Sequence, residues 1–258
     1  MLTNTKLGLV LLLLLVLVVN VAQTSWETSL RTESPITDAD FSGAYAVQQF
    51  EPAFINFEFH DRTSRWTMYA FSTAYFILFP VLALGVLIAF ARRPEIAPFR
   101  VLCLAVAIDY VVSLPFFLLF PVPERWAHPE SNAVLLSDQW SSALINSIRP
   151  LSALNNSFPS THVSLTVVLI LVCWVFHVRL RATITALGAM VVLATFALGI
   201  HWLADIIAGV AVGTISVAAA WRFTDTSERG EFAVQSELPV IRRKRRPVPQ
   251  LAPTGGVE

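Results

Sequence analysis

Six apolar runs divide the chain and leave few ways to fold it. They cover residues 1–22 and about 68–91, 99–120, 162–178, 182–200 and 202–221. A helix needs about 20 apolar residues to cross the hydrocarbon core of a bilayer, and only helices or closed barrels satisfy their backbone there. The composition agrees, with 55% hydrophobic and 14% charged residues and a mean hydropathy of +0.63, against about 25% charged in a soluble domain. The expected fold is an all-α integral membrane protein, a six-helix transmembrane bundle.

Basic residues orient that bundle. Arg92, Arg93 and Arg100 fall between the second and third runs, Arg179 and Arg181 between the fourth and fifth, and Arg222 with Arg242-Arg243-Lys244-Arg245-Arg246 after the last. Lys6 precedes the first run. If six helices alternate, all of these share one side, which the positive-inside rule makes cytoplasmic. The C-terminal tail is then cytoplasmic, and the loop at about 121–161 is external.

Four segments follow. Residues 1–22 form a first transmembrane helix or signal anchor; a cleaved signal peptide is the alternative, but no clean small-x-small cleavage site follows the run. Residues 23–67 form an external, aromatic-rich loop, in which Phe50, Phe54, Phe57, Phe59 and Trp66 make either an interfacial belt or a lip over an outer site. Residues 68–221 form the membrane core, where Gly209 and Gly213 give the small-xxx-small spacing of closely packed helices. Residues 222–258 form a cytoplasmic basic tail expected to be disordered, its basic run a topology determinant or a contact for anionic lipid. The two cysteines, Cys103 and Cys173, sit inside apolar runs and read as buried thiols.

Two polar stretches interrupt this pattern. One is Asn155-Asn156-Ser157-Phe158-Pro159-Ser160-Thr161-His162; the other is Gly199-Ile200-His201-Trp202-Leu203-Ala204-Asp205. The topology brings both to the external face. Ser157 is suited to cap the fourth helix and Pro159 to its first turn. Ser160 and His162 then stand beside unpaired backbone N–H groups, which favour an anion. His201 and Asp205 are four apart and share one helical face. A carboxylate there keeps one imidazole nitrogen protonated and the other free, as a base or a nucleophile. Each piece has a plainer reading, an interfacial histidine or a structural His–Asp hydrogen bond; the conjunction on one face favours phosphoryl transfer. No close-spaced ligand set points to a metal, and no cofactor is expected.

At these residues the sequence resembles the type 2 phosphatidic acid phosphatase superfamily, whose three motifs are K-x6-R-P, P-S-G-H and S-R-x5-H-x3-D. Pro159-Ser160-Thr161-His162 is similar to the second, with Thr161 in place of glycine, and His201 and Asp205 match the third. Phe158, Gly199-Ile200-His201-Trp202 and Gly209 resemble the inositolphosphotransferase-like branch, and the similarity runs from about residue 68 to 221. The resemblance implies that His201 attacks phosphorus and forms a phosphohistidine, and that Asp205 orients it. It implies that His162 protonates the leaving oxygen and then activates water or an acceptor alcohol, and that Ser160 binds the phosphate.

The chain departs from the family at two cations. Thr195 stands where the third-motif arginine is expected, and no lysine is available for the first motif. Arg125 is the preferred replacement and Arg149, in Arg149-Pro150, the runner-up; either also reads as a plain interfacial arginine. Fewer cations tilt the expectation toward phosphodiester substrates or transfer. Asp109, in mid-span, is either a hydrogen-bonded packing residue or lines the route to the site.

The expected function is a membrane phosphatase or phosphotransferase acting on a lipid phosphate or phosphodiester at the extracytoplasmic surface, with the membrane and no nucleic acid as partner. The alternative is a non-catalytic phospholipid-binding or lipid-moving protein of the same fold.

Overall fold

The computed structural model describes residues 5–33, 64–128, 135–139 and 156–224. Arg149, Phe50, Phe54, Phe57, Phe59 and the basic tail lie outside the described residues.

Six long helices appear among them: α1 (Lys6–Glu33), α2 (Arg65–Ala91), α3 (Ala97–Leu119), α4 (Thr161–Val175), α5 (Arg181–Ala197) and α6 (Leu203–Phe223). Four of them, α1, α2, α3 and α6, are long and apolar enough to cross a membrane, which supports a multi-pass membrane protein; α4 and α5 are shorter apolar helices.

Helix α1 runs past the apolar stretch that ends near residue 22. Gln23, Thr24 and Glu27 continue it on one face and are buried, and the Tyr110 hydroxyl of α3 donates to Gln23 Oε1 at 3.4 Å. Part of the segment expected as external loop is therefore helix. At the other end of α1, Lys6 donates to the carbonyls of Ala91 and Arg93 at 2.9 and 2.6 Å. That places a cation against the exposed carbonyls that close α2.

Helix α2 is not uniform. Pro80 has no N–H for the carbonyl four residues back, and the turn before it widens into a π-helix over Ala74–Leu78. The Phe79 N–H bonds the Ala74 carbonyl across the wide turn.

The most extensive helix pairing is α4 with α6, and α3 packs against both. The glycines of α6 permit it. A methyl group on Gly209 would stand 2.7 Å from the Ser160 carbonyl oxygen, and one on Gly213 would collide with the Ser164 carbonyl oxygen. The spacing read from the sequence is thus a backbone-to-backbone approach. Gly213→Ala should cost about 1–3 kcal/mol through overpacking against backbone that cannot turn aside. Gly85→Ala, where an added methyl meets nothing within 4 Å, is the control. Equal melting temperatures for the two variants in detergent would contradict the close approach.

The main core lies at the end of the bundle away from the histidines, around Phe90, Phe99, Leu102, Val168, Val172 and Phe176. Cys103 and Cys173 are buried there as free thiols. The histidine end is held differently, by a strap. Segment 122–126 bonds backbone to backbone with the turn between α5 and α6: Arg125 N–H to the Ile200 carbonyl and Trp126 N–H to that of Gly199, both at 3.0 Å. Gly199 takes a φ of 73°, a left-handed conformation that glycine adopts without strain.

Candidate active site

The two polar stretches meet. Helix α4 begins at Thr161, and its cap is Ser160: the Ser160 Oγ accepts from the Val163 N–H at 3.4 Å. The expectation that Ser157 caps this helix is corrected. Ser157 lies a full turn too early, and its buried hydroxyl faces α6 instead, donating to Asp205 Oδ2 at 2.7 Å and lying 3.0 Å from His201 Nδ1.

The His201–Asp205 geometry also differs from two residues on one helical face. Helix α6 starts at Leu203, so His201 lies on the turn before it. Asp205 reaches back as an acidic first-turn residue, and its Oδ2 accepts the Trp202 N–H at 2.9 Å. That fold-back brings the same oxygen to 3.3 Å from His201 Nδ1. The His201 N–H bonds the Thr195 carbonyl at 3.2 Å, and the Trp202 indole donates to the Pro123 carbonyl at 3.0 Å. The backbone of the turn is thus tied down while the imidazole is held at Nδ1 by Ser157 and Asp205, and Asp205 is fully buried. The Ser160 N–H closes the join between the stretches, donating to the Asp205 carbonyl at 3.2 Å.

His162 stands across from His201, with ring centroids 6.4 Å apart and planes 53° off parallel. Its ring rests on two aromatics of α2. Tyr75 stacks on it at 4.2 Å and Phe79 approaches at 4.7 Å. The Tyr75 hydroxyl lies 3.2 Å from His162 Nδ1. Among the described residues, neither histidine Nε2 has a hydrogen-bond partner.

Arg125 is buried beside this group, its backbone tied to Ile200 and its guanidinium 5.2 Å from the centre of the Phe196 ring. Arg149 lies outside the described residues. Thr195 is buried and its hydroxyl donates to the Val192 carbonyl within α5, so this position offers the site no cation. Asp109 is buried, with Oδ2 accepting from Ser164 Oγ at 2.9 Å; that hydroxyl also lies 3.2 Å from the Thr161 carbonyl. Among the described residues, no three His, Cys, Asp or Glu side chains stand close enough to hold a metal ion.

Sequence reasoning missed three contributors. Ser157 carried a visible signal, a hydroxyl next to the His162 stretch, but helix-cap logic assigned it elsewhere. Tyr75 and Phe79 carried none, because α2 reads as an apolar span and Tyr75 lies 87 residues from its partner.

The PAP2 superfamily model matches residues 98–229, just over half of the chain, and the chain belongs to that superfamily. The match begins at α3, later than the start near residue 68 expected from the sequence; α1 and α2 precede it. Membership implies a phosphatase-type enzyme of lipid phosphates. No curated protein and no solved structure matches the chain.

Proposed function

We propose that the protein cleaves or transfers phosphoryl groups of membrane lipids through a phosphohistidine on His201. The observation that carries this reading is the pairing of His201, fixed at Nδ1 by Asp205 and Ser157, with a second histidine ring 6.4 Å away. A carboxylate accepts, so Nδ1 keeps its proton and the Nε2 lone pair is free to attack phosphorus. His162 gives a proton to the leaving oxygen as the P–O bond breaks. It then takes one from water or an alcohol as the P–N bond breaks. Phosphate charge is met by the first N–H groups of α4, the Ser160 hydroxyl and Arg125.

The lipid reading has support beside the site. An apolar groove of about 430 Å³, lined by Pro115, Phe116, Leu119, Phe120 and by Phe158, which follows Ser157 in the chain, suits an acyl chain. Segregation of arginines in the sequence supports a six-span bundle with this end extracytoplasmic and the tail cytoplasmic. Within the superfamily we favour the inositolphosphotransferase-like branch, with Arg125 as the substitute cation and a phosphodiester as substrate. Thr195 in place of a clamp arginine favours weaker capture of a dianionic monoester.

The experiment uses the full chain in lipid nanodiscs with labelled phosphatidic acid or phosphatidylinositol, with and without inositol or a lipid alcohol. Phosphate release identifies water as acceptor and a new diester identifies an alcohol. Wild-type protein that forms no labelled adduct and no product would support a non-catalytic lipid-binding role, for which Thr195 is the motivation.

Ser157 offers an internal check. Ser157→Ala removes a hydrogen bond to a charged group, worth about 1.5–3 kcal/mol. Turnover should fall roughly tenfold to a hundredfold, with KM within about threefold, if the loss falls on the transition state. Unchanged kcat would leave Ser157 a packing residue only.

A further inference from the structure

We infer that Tyr75 is the positioning residue that lets His162 serve as both acid and base, an assignment that rests on the phosphohistidine reading. Tyr75 lies outside the residues matched by the family model, on a helix with no recognisable motif. Three observations converge on it. Its ring is stacked on His162 at 4.2 Å, its hydroxyl lies 3.2 Å from Nδ1, and it sits in the π-helical turn of α2. Such wide turns are frequent at functional sites, and here the local cause is Pro80, which withholds an N–H one turn later.

The two histidines have partners of different chemistry, and the difference matters. Asp205 accepts hydrogen bonds, so His201 retains its Nδ1 proton throughout and works through Nε2. A phenol oxygen also accepts, but it carries no charge. It accepts from Nδ1–H when His162 is an imidazolium and accepts the same proton when His162 is neutral, because the ring that has given up its Nε2 proton keeps the one on Nδ1. In each state the ring keeps the same orientation and Nε2 faces the substrate. A carboxylate in the position of Tyr75 would hold the imidazolium more strongly and oppose release of its Nε2 proton in the acid half of the cycle. A purely apolar neighbour would leave Nδ1 unsatisfied in both halves. Tyr75 itself exchanges no proton with the substrate. In the first half-reaction the His201 Nε2–P bond forms, the P–O bond breaks, and the Nε2 proton of His162 goes to the departing alkoxide, giving the free alcohol. In the second, His162 removes a proton from water as its oxygen bonds phosphorus and the P–N bond breaks.

The test is leaving-group dependence, which a merely structural role would not produce. Tyr75→Phe keeps the stack and removes only the hydroxyl. Full-length protein in nanodiscs is mixed with the diesters methyl 4-nitrophenyl phosphate or dioctyl phosphate, and phosphohistidine formation is followed by rapid quench. The 4-nitrophenolate leaves without a proton, whereas octoxide needs one. Tyr75→Phe should slow the octyl reaction at least about tenfold more than the 4-nitrophenyl reaction, a modest share of what acid catalysis supplies. Equal slowing with both probes, or none, overturns the assignment of Tyr75 and leaves His201 untouched. Absence of phosphohistidine from the wild type with both probes overturns the phosphohistidine reading, and the role of Tyr75 falls with it.

Discussion

His201→Ala should abolish adduct formation and lower turnover by roughly a thousandfold or more, because the only atom proposed to bond phosphorus is removed. The loss should appear with any leaving group, since no proton donor substitutes for a nucleophile. Geometry makes the expectation specific. His201 is held by the Thr195 carbonyl through its backbone N–H and by Ser157 and Asp205 through its ring, so its Nε2 is presented in one fixed orientation. His201→Gln keeps much of the side-chain volume and guards against a trivial loss of folding. If either variant, eluting as the wild type does on size exclusion, retains labelled adduct on quenching, His201 is not the nucleophile.

His162→Ala should behave in the opposite way. General acid–base catalysis contributes about 10²–10⁴-fold, so turnover should drop by that order. With methyl 4-nitrophenyl phosphate, however, the adduct should still form, because the 4-nitrophenolate departs unaided. Its hydrolysis then lacks a base, and phosphohistidine should accumulate to a level the wild type never reaches. A variant that neither forms nor accumulates adduct would contradict the division of labour between the rings. A small base such as free imidazole, added to the solution, should speed decay of the trapped species.

Much of this was legible in the sequence, for reasons that differ from place to place. Helices α4 and α6 open where the polar stretches end, because the hydropathy changes abruptly, Ser160 supplies an oxygen to the Val163 N–H, and Asp205 supplies one to the N–H of Trp202, the residue that caps α6. The glycine spacing on α6 was readable because close approach leaves a compositional mark. Helix α1 was read too short. Hydropathy ends near residue 22, but Gln23, Thr24 and Glu27 remain helical because they lie on one face and are buried against other elements. The role of Ser157 was misread for a related reason: a serine before a helix has a local use, and only tertiary contact shows that Asp205 is its partner. Tyr75 was invisible in principle. Its contact with His162 joins segments 87 residues apart, and an aromatic in an apolar span looks like any other filler.

The shortness of α4 and α5 bears on the surrounding lipid. Fifteen and seventeen residues rise about 22 and 26 Å at 1.5 Å each, less than the ~30 Å hydrocarbon core of a typical bilayer. If α4 and α5 span the bilayer as proposed, this pair presents a hydrophobic mismatch beside the long helices α2 and α3. A bilayer that wets both sets must thin locally or let headgroups sink along the shorter pair. Since α4 carries His162 at its first turn, the dip falls beside the proposed site. A phosphate headgroup would then reach the imidazoles by settling with its own leaflet, with little of its chain drawn out of the membrane.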